Sequence, residues 1–227
     1  PDADLNGPTT FNYTADAGNG GSAVGSVSVA VNPLNDAPIA TNDAASTNEE
    51  SPVGIDVVAN DTDIDGDTLN ATHVNGTPIS VGETVTVANG SVTLLVDGRL
   101  SFAPALNYHG ATSFGYTVGD GNGLSDTATV NVAVAPVNDS PVAVNDSATG
   151  NEDSAVNVDL LGNDGDVDGD ALTVTAVNGV AISVGQTAAV ANGTVTLLAG
   201  GTATFTPAAN FNGTTSFNYT VSDGQGG

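Results

Sequence analysis

The sequence predicts an all-β chain made of tandem antiparallel β-sandwiches, and three observations support this. The chain repeats itself with a period of about 103 residues, which is the length of a small domain and not of a solenoid turn. Within one period, short runs of β-branched and aromatic residues alternate with polar ones, as half-buried strands do. Turn signals separate these runs at the spacing that is typical of sandwich domains.

The period divides the chain into three parts. We expect residues 1–34 to be the C-terminal part of a preceding repeat, residues 35–137 to be a complete repeat, and residues 138–227 to be a second repeat without its last strand. The parts meet at residues 33–38 and 136–141, where two prolines bracket each joint. Proline restricts its own backbone and that of the residue before it, so these joints should be short and stiff.

The complete repeat contains six segments with the sequence pattern of strands. The first follows an acidic loop, and the segments lie at residues 69–74, 84–87, 91–95, 100–102, 113–118 and 127–134. Tight turns are predicted at Asn75-Gly76, Asn89-Gly90 and Asp97-Gly98, because these dipeptides accept the positive φ that hairpins need. No window has the apolar stripe of an amphipathic helix.

The charge of the chain is strongly one-sided. It holds 26 acidic residues and one basic residue, Arg99, for a formal net charge of -25. Neutralising phosphates takes Lys and Arg, so nucleic acid is excluded as a partner and anionic membrane surfaces are disfavoured. Four carboxylates crowd into residues 61–67 while residues 101–119 hold none, and this placement favours site-bound cations over a general adaptation to salt.

The sequence has no Cys and no run of 18 apolar residues. Disulfides and thiolate metal sites are therefore excluded, and a metal bound by oxygen atoms is the expected means of stabilisation for a secreted domain of this size. Membrane insertion is not expected, because a spanning helix needs a longer apolar run.

The acidic loop of each repeat has the residues of a calcium site. Asp61, Asp63, Asp65 and Asp67 alternate with small or apolar residues, and the loop returns as Asp164, Asp166, Asp168 and Asp170. Two such charges about 4–5 Å apart repel by roughly 4 kcal/mol at an effective dielectric constant of 20, so a cation is expected between them. The number of oxygen ligands favours Ca²⁺ over Mg²⁺. The spacing resembles an EF-hand, but Thr72 stands at the twelfth position and a strand follows, which excludes that motif.

Further ligands are expected from the order of strands in a sandwich. The linker that enters a repeat, the acidic loop and the loop before the last strand should meet at one end, while the loop at residues 48–50 should lie at the other end, where the next linker begins. Calcium at such a joint would lock neighbouring repeats of the chain together. The predicted calcium ligands are Asp36, Glu49, Glu50, Asp61, Asp63, Asp65, Asp67, Asp120, Asn138, Asp139, Glu152, Asp153, Asp164, Asp166, Asp168, Asp170 and Asp223.

Five motifs of the second repeat resemble a known family when they are taken together. They are V-N-D-x-P-V-A-x-N-D at residues 137–146, N-E-D-S at 151–154, N-D-x-D-x-D-G-D-x-L at 163–172, F-x-P-x-x-N-F-N-G at 205–213 and F-N-Y-T-V-S-D-G at 217–224. This set is similar to the cadherin-like, immunoglobulin-like extender repeats, also called tandem-95-type repeats, of large bacterial repeats-in-toxin surface adhesins. Two departures are Glu50 in place of the Asp of N-E-D, and Ala17 where a loop Asp is expected, which weakens any site at residues 15–21.

The resemblance implies a fold and a function. The implied fold is a row of Greek-key, cadherin-like β-sandwiches joined end to end. The implied function is that of an extracellular spacer at the cell surface, which a type I system secretes, which folds outside the cell as calcium binds, and which takes part in attachment or biofilm formation.

Catalysis is not expected, because the carboxylates recur in every repeat and no Trp offers a platform for a sugar. Two other functions remain open at this point. One is a calcium-dependent carbohydrate-binding module, which would need an open coordination position. The other is a subunit of an extracellular filament, in which the N-terminal strands of one chain complete the last sandwich of another copy by strand complementation.

Overall fold

The computed structural model describes residue 4 and residues 6–226, and almost all of its regular secondary structure is strand, which confirms the predicted all-β class. The chain forms two units, divided between Pro136 and Val137. Among the described residues, no helical segment approaches the length and hydrophobicity that a bilayer-spanning helix requires.

The first unit begins with a hairpin of β1 (Gly7–Asp16) and β2 (Ser22–Val31), which pair in antiparallel register along their whole length. Phe11 and Tyr13 on this hairpin are 57% and 53% exposed. Their counterparts one period later, Phe114 and Tyr116, are 2% and 1% exposed. The hairpin therefore carries the sequence of a core element, but its aromatic side chains face solvent.

Nine strands follow in the first unit and form two sheets. They are β3 (Asp43–Asn48), β4 (Val53–Ile55), β5 (Asn70–Val74), β6 (Thr77–Pro78), β7 (Thr84–Val87), β8 (Gly90–Leu94), β9 (Leu100–Pro104), β10 (Gly110–Gly119) and β11 (Ser125–Ala135). One sheet has the order β3-β11-β10-β5-β6 and the other has the order β4-β9-β8-β7. All six predicted strands are present, and β10 and β11 extend beyond the predicted ends. Asn75, Gly76, Asn89 and Gly98 have φ between 47° and 86°, which confirms the predicted tight turns.

One strand pair differs from the antiparallel prediction. β3 pairs with β11 in parallel, from Asp43 opposite Val130 to Asn48 opposite Ala135. The strand that enters the sandwich thus runs beside the strand that leaves it, and the rest of the repeat is the crossover that a parallel pair requires. Period-two alternation shows which residues face the core and contains no information about the direction of the neighbouring strand, so the sequence did not reveal this pair.

The core of the complete repeat lies between its two sheets. Leu100, Phe102, Val118 and Val130 are fully buried, and Phe102 stacks on Phe114 with ring centroids 6.0 Å apart. Fully burying a side chain of this size contributes about 1.5–3 kcal/mol. The predicted alternation accounts for the packing, because every second residue of β11 from Val130 onward points into the core.

Arg99 lies in the turn between β8 and β9. Its Nη2 is 2.7 Å from Oδ2 of Asp97, and its Nε donates a hydrogen bond of 2.9 Å to the same oxygen. This hydrogen bond lowers the pKa of Asp97 and raises the pKa of Arg99. The single basic residue is therefore paired within its own turn.

The second unit repeats most of these strands. They are β12 (Val156–Asp159), β13 (Thr173–Val177), β14 (Val180–Ala181), β15 (Thr187–Val190), β16 (Gly193–Leu197), β17 (Thr202–Pro207) and β18 (Tyr219–Ser222), with a short 3-10 turn at Ala199–Gly201. The sheets have the orders β12-β17-β16-β15 and β14-β13-β18. Leu160, Val195 and Ala203 are at the centre of its core. Residues 146–151, which correspond to β3, are not in a strand.

Candidate metal centre

Three carboxylates of the first acidic loop converge on one point. Asp63, Asp65 and Asp67 each offer a carboxylate oxygen, and these oxygens lie within 4.8 Å of one another. The backbone closes the loop around Asp63, whose Oδ1 accepts hydrogen bonds from the amides of Asp65 (2.9 Å) and Asp67 (3.3 Å). Gly66 has a φ of 78°, which this turn requires. The other oxygen, Oδ2 of Asp63, is buried and has no hydrogen-bond partner.

The segment that enters the repeat is attached to this loop. Ile39 and Thr62 exchange two backbone hydrogen bonds of 2.7 and 3.1 Å, and the amide of Asp36 donates to Oδ2 of Asp65 at 2.7 Å. Desolvation raises the pKa of the Asp36 carboxyl, and the charges of Asp4, Asp65 and Asp63 raise it further. A carboxyl crowded by like charges has this shift, and a nearby cation would reverse it.

The second unit contains the same hydrogen bonds between its acidic loop and the segment that enters it. Val142 and Gly165 exchange two backbone hydrogen bonds of 2.7 and 3.1 Å, and the amide of Asp139 donates to Oδ2 of Asp168 at 2.8 Å. Oδ1 of Asp166 accepts hydrogen bonds from the amides of Asp168 (2.9 Å) and Asp170 (3.4 Å). Oδ2 of Asp166 and Oδ2 of Asp139 are buried without a hydrogen-bond partner. The hydrogen-bond pattern of the loop therefore occurs twice, whereas within the described residues the convergence of three carboxylate oxygens within 4.8 Å is found at Asp63, Asp65 and Asp67 only.

Two predicted ligands have a different set of partners. Asp120 is 4% exposed, and its Oδ1 accepts hydrogen bonds from three successive amides, those of residues 122–124, at 2.7–3.1 Å. The side-chain amide of Asn35 donates to Oδ2 of Asp120 at 2.6 Å and is the main cause of the lowered pKa of this carboxyl. Asp223 binds the amides of residues 225 and 226 and the side chain of Asn138 in the same way. These groups join the loop after β10 or β18 to the entering segment.

The first Asp of each loop has hydrogen-bond partners outside the loop. Oδ1 of Asp61 accepts hydrogen bonds from the amide of Thr41 (2.7 Å) and from the hydroxyl of Tyr116 (3.0 Å). Asp164 does the same with the amide of Val144 (2.7 Å) and the hydroxyl of Tyr219 (3.2 Å). The structure therefore does not bring Asp61 into the group formed by Asp63, Asp65 and Asp67.

Of the predicted Glu pair, Glu50 is held within its own repeat. Glu49 is 2% exposed, and Oε1 of Glu50 accepts a hydrogen bond of 2.7 Å from the amide of Asn107. In the second unit, Asp153 accepts one of 2.8 Å from the amide of Asn210, while Glu152 is exposed. The predicted grouping of the Glu pair with residues 138–139 and 164–170 involves both units and stays a prediction.

Sequence reasoning did not assign a role to several residues at this end of the repeat. The side-chain amide of Asn122 donates to Oδ2 of Asp67 at 2.8 Å, and Oδ2 of Asp126 accepts a hydrogen bond of 2.9 Å from the amide of Ala40. Asn35 and Tyr116 were also missed. Both recur one period later, as Asn138 and Tyr219, and this repetition was the available signal.

The arrangement fits a hard divalent cation. Its donors are carboxylate oxygens, which Ca²⁺ prefers, and two of them are buried oxygens without a partner, Oδ2 of Asp63 and Oδ2 of Asp166. A buried carboxylate oxygen that accepts no hydrogen bond is costly unless it is paired or binds a metal. Within the described residues, Asp63, Asp65 and Asp67 of the first acidic loop bring their oxygens together as the ligands of a cation would, and the loop of the second repeat shares the same hydrogen bonds.

Comparison with solved structures shows the fold. The protocadherin fragment PcdhgB3 EC1-4 is 14% identical, with a TM-score of 0.53 over 90% of this chain and 49% of that chain. The human desmocollin-1 ectodomain is 14% identical, with a TM-score of 0.44 over 96% of this chain and 42% of that one. An endo-fucoidan hydrolase from glycoside hydrolase family 107 is 19% identical, with a TM-score of 0.35 over 98% of this chain and 34% of that one. The chain thus spans between a third and a half of the length of these structures, and the protocadherin likeness supports a shared fold.

No curated protein matches the chain. The bacterial Ig domain family matches it twice, over residues 35–133 and over residues 138–227, which together cover most of its length. The two matches coincide with the two repeats that carry the acidic loops. The chain therefore belongs to the bacterial Ig domain family, of which it holds two domains in tandem.

Proposed function

We propose that this chain is a calcium-stiffened spacer region of a bacterial cell-surface adhesin, secreted by a type I system and located outside the cell, where it takes part in attachment or biofilm formation. Tandem Ig domains and the family resemblance of the repeat motifs support the spacer role. One observation supports calcium most directly: an Asp oxygen without a partner, Oδ2 of Asp63 or Asp166, is buried at the same point of two loops.

The residues of each loop define how the site would work. Asp63, Asp65 and Asp67 would hold the ion in the first repeat, and Asp166, Asp168 and Asp170 would hold it in the second. Bound Ca²⁺ supplies positive charge that offsets the repulsion between these carboxylates. Because Asp65 also accepts the amide of Asp36, an ordered loop fixes the segment through which the chain enters the repeat. Each repeat would then hold its own linker stiffly.

The strength of this effect follows from mass action. A ligand that binds only the folded state adds RT ln(1 + [L]/Kd) to stability, and extracellular calcium modules bind with a Kd of about 0.1–1 mM. At 10 mM calcium each site then contributes about 1.4–2.7 kcal/mol, and at micromolar calcium it contributes almost nothing. The repeats would stay loose inside the cell and become rigid outside it.

Thermal unfolding with and without calcium tests the proposal. We expect 10 mM CaCl₂ to raise Tm by roughly 6–20 °C relative to EGTA, since 1 kcal/mol shifts Tm by about 4–8 °C in a domain of this size. The double variant Asp63→Asn, Asp166→Asn should lose most of this shift. An unchanged Tm of the unmodified chain would contradict the proposal.

Glu83→Gln is the matched control for the loss of one negative charge. Glu83 accepts the amide of Ser80 at 2.8 Å, and its counterpart Gln186 accepts the amide of Ser183 at 2.9 Å, so the other repeat already shows that Gln fits this position. Glu83→Gln should keep the full calcium shift. If it loses as much as the Asp63→Asn, Asp166→Asn variant does, calcium acts through the general charge of the chain and not through the loops.

One observation favours a second function, the strand-complemented filament. The β1–β2 hairpin exposes Phe11 and Tyr13, whose counterparts are buried in the complete repeat. Another copy of the chain could cover this face by strand exchange. Sedimentation velocity at increasing concentration separates the two functions, because oligomers that grow with concentration support a filament and a constant monomer supports the spacer alone.

A further inference from the structure

We infer that the hydroxyl groups of Tyr116 and Tyr219 position the two acidic loops and thereby set the calcium affinity of each repeat. This inference rests on the proposed calcium function. Among the described residues, Tyr116 donates no hydrogen bond to Asp63, Asp65 or Asp67, and Tyr219 donates none to Asp166, Asp168 or Asp170. The two tyrosines are therefore positioning residues that act through the start of each loop.

The ring of Tyr116 gives its hydroxyl a fixed location. Tyr116 lies in the middle of β10, where its backbone is opposite Ala128 of β11 on one side and Val74 of β5 on the other. The side chain is 1% exposed and belongs to the core of the sandwich. A functional group on a packed side chain of a central strand is held more precisely than one on a loop.

The hydroxyl lies where two segments of the chain meet. It is 2.9 Å from the carbonyl oxygen of Val57 and 3.0 Å from Oδ1 of Asp61, both in the segment that leads into the loop. It is also 3.0 Å from the carbonyl oxygen of Thr41, in the entering segment. One hydroxyl proton therefore serves several acceptors at the point where these segments approach each other.

The hydroxyl keeps its proton under all ordinary conditions. Desolvation raises the pKa of Tyr116, and the charges of Asp43 and Asp61 and the hydrogen bonds to these two carboxylates act in the same direction. Desolvation is also the first cause of the raised pKa of Tyr219, followed by its hydrogen bond to Asp146. Each phenol thus remains a hydrogen-bond donor to the oxygens around it.

Two residues, Asp61 and Thr62, connect the hydroxyl of Tyr116 to the rest of the acidic loop. Asp61 is followed by Thr62, which is paired with Ile39, and then by Asp63. Holding Asp61 therefore fixes where the loop starts and how it faces the entering segment. Without the Tyr116 hydroxyl, the carboxylates of Asp61 and Asp43 would lose the hydrogen-bond donor that lies beside both of them. Their negative charges would then repel each other more strongly.

Two of these contacts recur in the second unit. The hydroxyl of Tyr219 donates to the carbonyl oxygen of Val144 at 2.9 Å and lies 3.2 Å from Oδ1 of Asp164. Gly165 and Val142 then form the pair that corresponds to Thr62 and Ile39. A chance contact of one tyrosine would not recur with the same partners in a unit that has fewer strands.

Isothermal titration with CaCl₂ tests the inference on the full chain. Tyr116→Phe is measured in the Asp166→Asn background, and Tyr219→Phe in the Asp63→Asn background, so that one loop is read at a time. We expect each tyrosine variant to weaken calcium binding about tenfold relative to its background. Loss of a direct partner of a metal ligand costs about 10–100-fold in affinity, and the tyrosines act one step further out, through Asp61 and Asp164.

Tyr108→Phe, measured in the Asp166→Asn background, is the matched control. Its hydroxyl donates to the carbonyl oxygen of Ala111 at 2.7 Å, so this variant also loses one phenol hydrogen bond. Within the described residues, that hydrogen bond involves no residue of the acidic loop. It should lower the calcium-free Tm without changing calcium affinity. Equal weakening by Tyr108→Phe and Tyr116→Phe would show general loosening and overturn the inference.

The other possible results of the titration distinguish failure of the positioning role from failure of the proposed calcium function. If the unmodified chain binds calcium and both tyrosine variants bind it as tightly as their backgrounds, the positioning role is wrong while the calcium function stands. If the unmodified chain binds no calcium, the proposed function itself fails. Circular dichroism confirms folding, and if Tyr116→Phe does not fold, Tyr219→Phe in the other repeat decides the question.

Discussion

The two repeats carry the same acidic loop on different sandwiches. In the first, β3 and β11 complete the edge of a five-stranded sheet, whereas residues 146–151 of the second are not in a strand. The hydrogen bonds around Asp63 nevertheless recur around Asp166 within about 0.1 Å. The loop therefore takes its shape from local contacts with the entering segment and not from the β3–β11 edge of the sheet.

Substitutions in the two cores should give the largest loss of stability, and they test whether each acidic loop depends only on its own repeat. Phe102→Ala removes a fully buried ring and should destabilise the first unit by about 3–5 kcal/mol. Phe205, its counterpart, is 9% exposed, so Phe205→Ala should destabilise the second unit by an amount at the lower end of that range. Urea unfolding followed by circular dichroism measures both losses. If Phe102→Ala also abolished the calcium response of the second unit, the two repeats would not be independent.

A smaller loss of stability, equal in the two repeats, is expected at the turns before β8 and β16, where the two repeats are packed alike. A Cβ at Gly90 would clash with the carbonyl oxygen of Ala103 and lie 2.8 Å from the ring of Phe102. A Cβ at Gly193 would clash with the corresponding carbonyl oxygen and lie 2.8 Å from the ring of Phe205. Gly90→Ala and Gly193→Ala should each cost about 1–3 kcal/mol, since overpacking forces the backbone to shift.

The control for the glycine variants is Gly21→Ala, because a Cβ at Gly21 would meet nothing within 4 Å. Its stability should stay within about 0.5 kcal/mol of the unmodified chain. Thermal unfolding in EGTA gives all three values. A clear difference between Gly90→Ala and Gly193→Ala would mean that the turns before β8 and β16 are not packed alike.

The smallest expected effect is the dependence of stability on pH in the calcium-free protein. Asp120 and Asp36 contribute to it with opposite signs. Hydrogen bonds from Asn35 and the loop amides lower the pKa of Asp120 below 3.8, so its stabilisation is complete at higher pH and is lost as pH falls through the lowered value. Desolvation raises the pKa of Asp36 above 3.8, so its penalty at neutral pH is relieved as pH falls through the raised value.

The Tm of the calcium-free chain should therefore rise slightly as pH falls through the raised pKa of Asp36, and then decrease at still lower pH as Asp120 is protonated. Asp120→Asn should lower Tm at pH 7 and have little effect once the carboxyl of the unmodified chain is protonated. Thermal unfolding in EGTA over a series of pH values measures both the rise and the fall of Tm. A loss from Asp120→Asn that is as large at acid pH as at pH 7 would show that the charge of Asp120 is not what stabilises its loop.

The fold was predictable from the sequence to the extent that it is local. Alternating residues and Asn-Gly dipeptides mark strands and turns because backbone conformation and burial act over a few residues, and β7 ends at the predicted residues. The parallel pair of β3 and β11 was not predictable, because partners far apart in sequence are chosen by the packing of the whole repeat. The repeat period identifies equivalent strands but not their neighbours.

The candidate site was predictable in its composition and less so in its geometry. Alternating Asp residues identified the loop, and Asp63, Asp65 and Asp67 do converge. Asp120 belongs to the same repeated pattern, yet its oxygens already accept four hydrogen bonds. A carboxylate that caps backbone amides and one that faces a cation are the same residue type in sequence, and only the directions of nearby amides distinguish them.

The position of Arg99 has a consequence for digestion by trypsin-like proteases, which cleave after basic residues. The chain offers them a single bond, between Arg99 and Leu100. Leu100 is fully buried and opens β9, where it is paired with Leu94 on one side and Ile55 on the other. The bond enters a protease cleft only after the first sandwich opens, so the cleavage rate reports that opening, and the second unit is never cut.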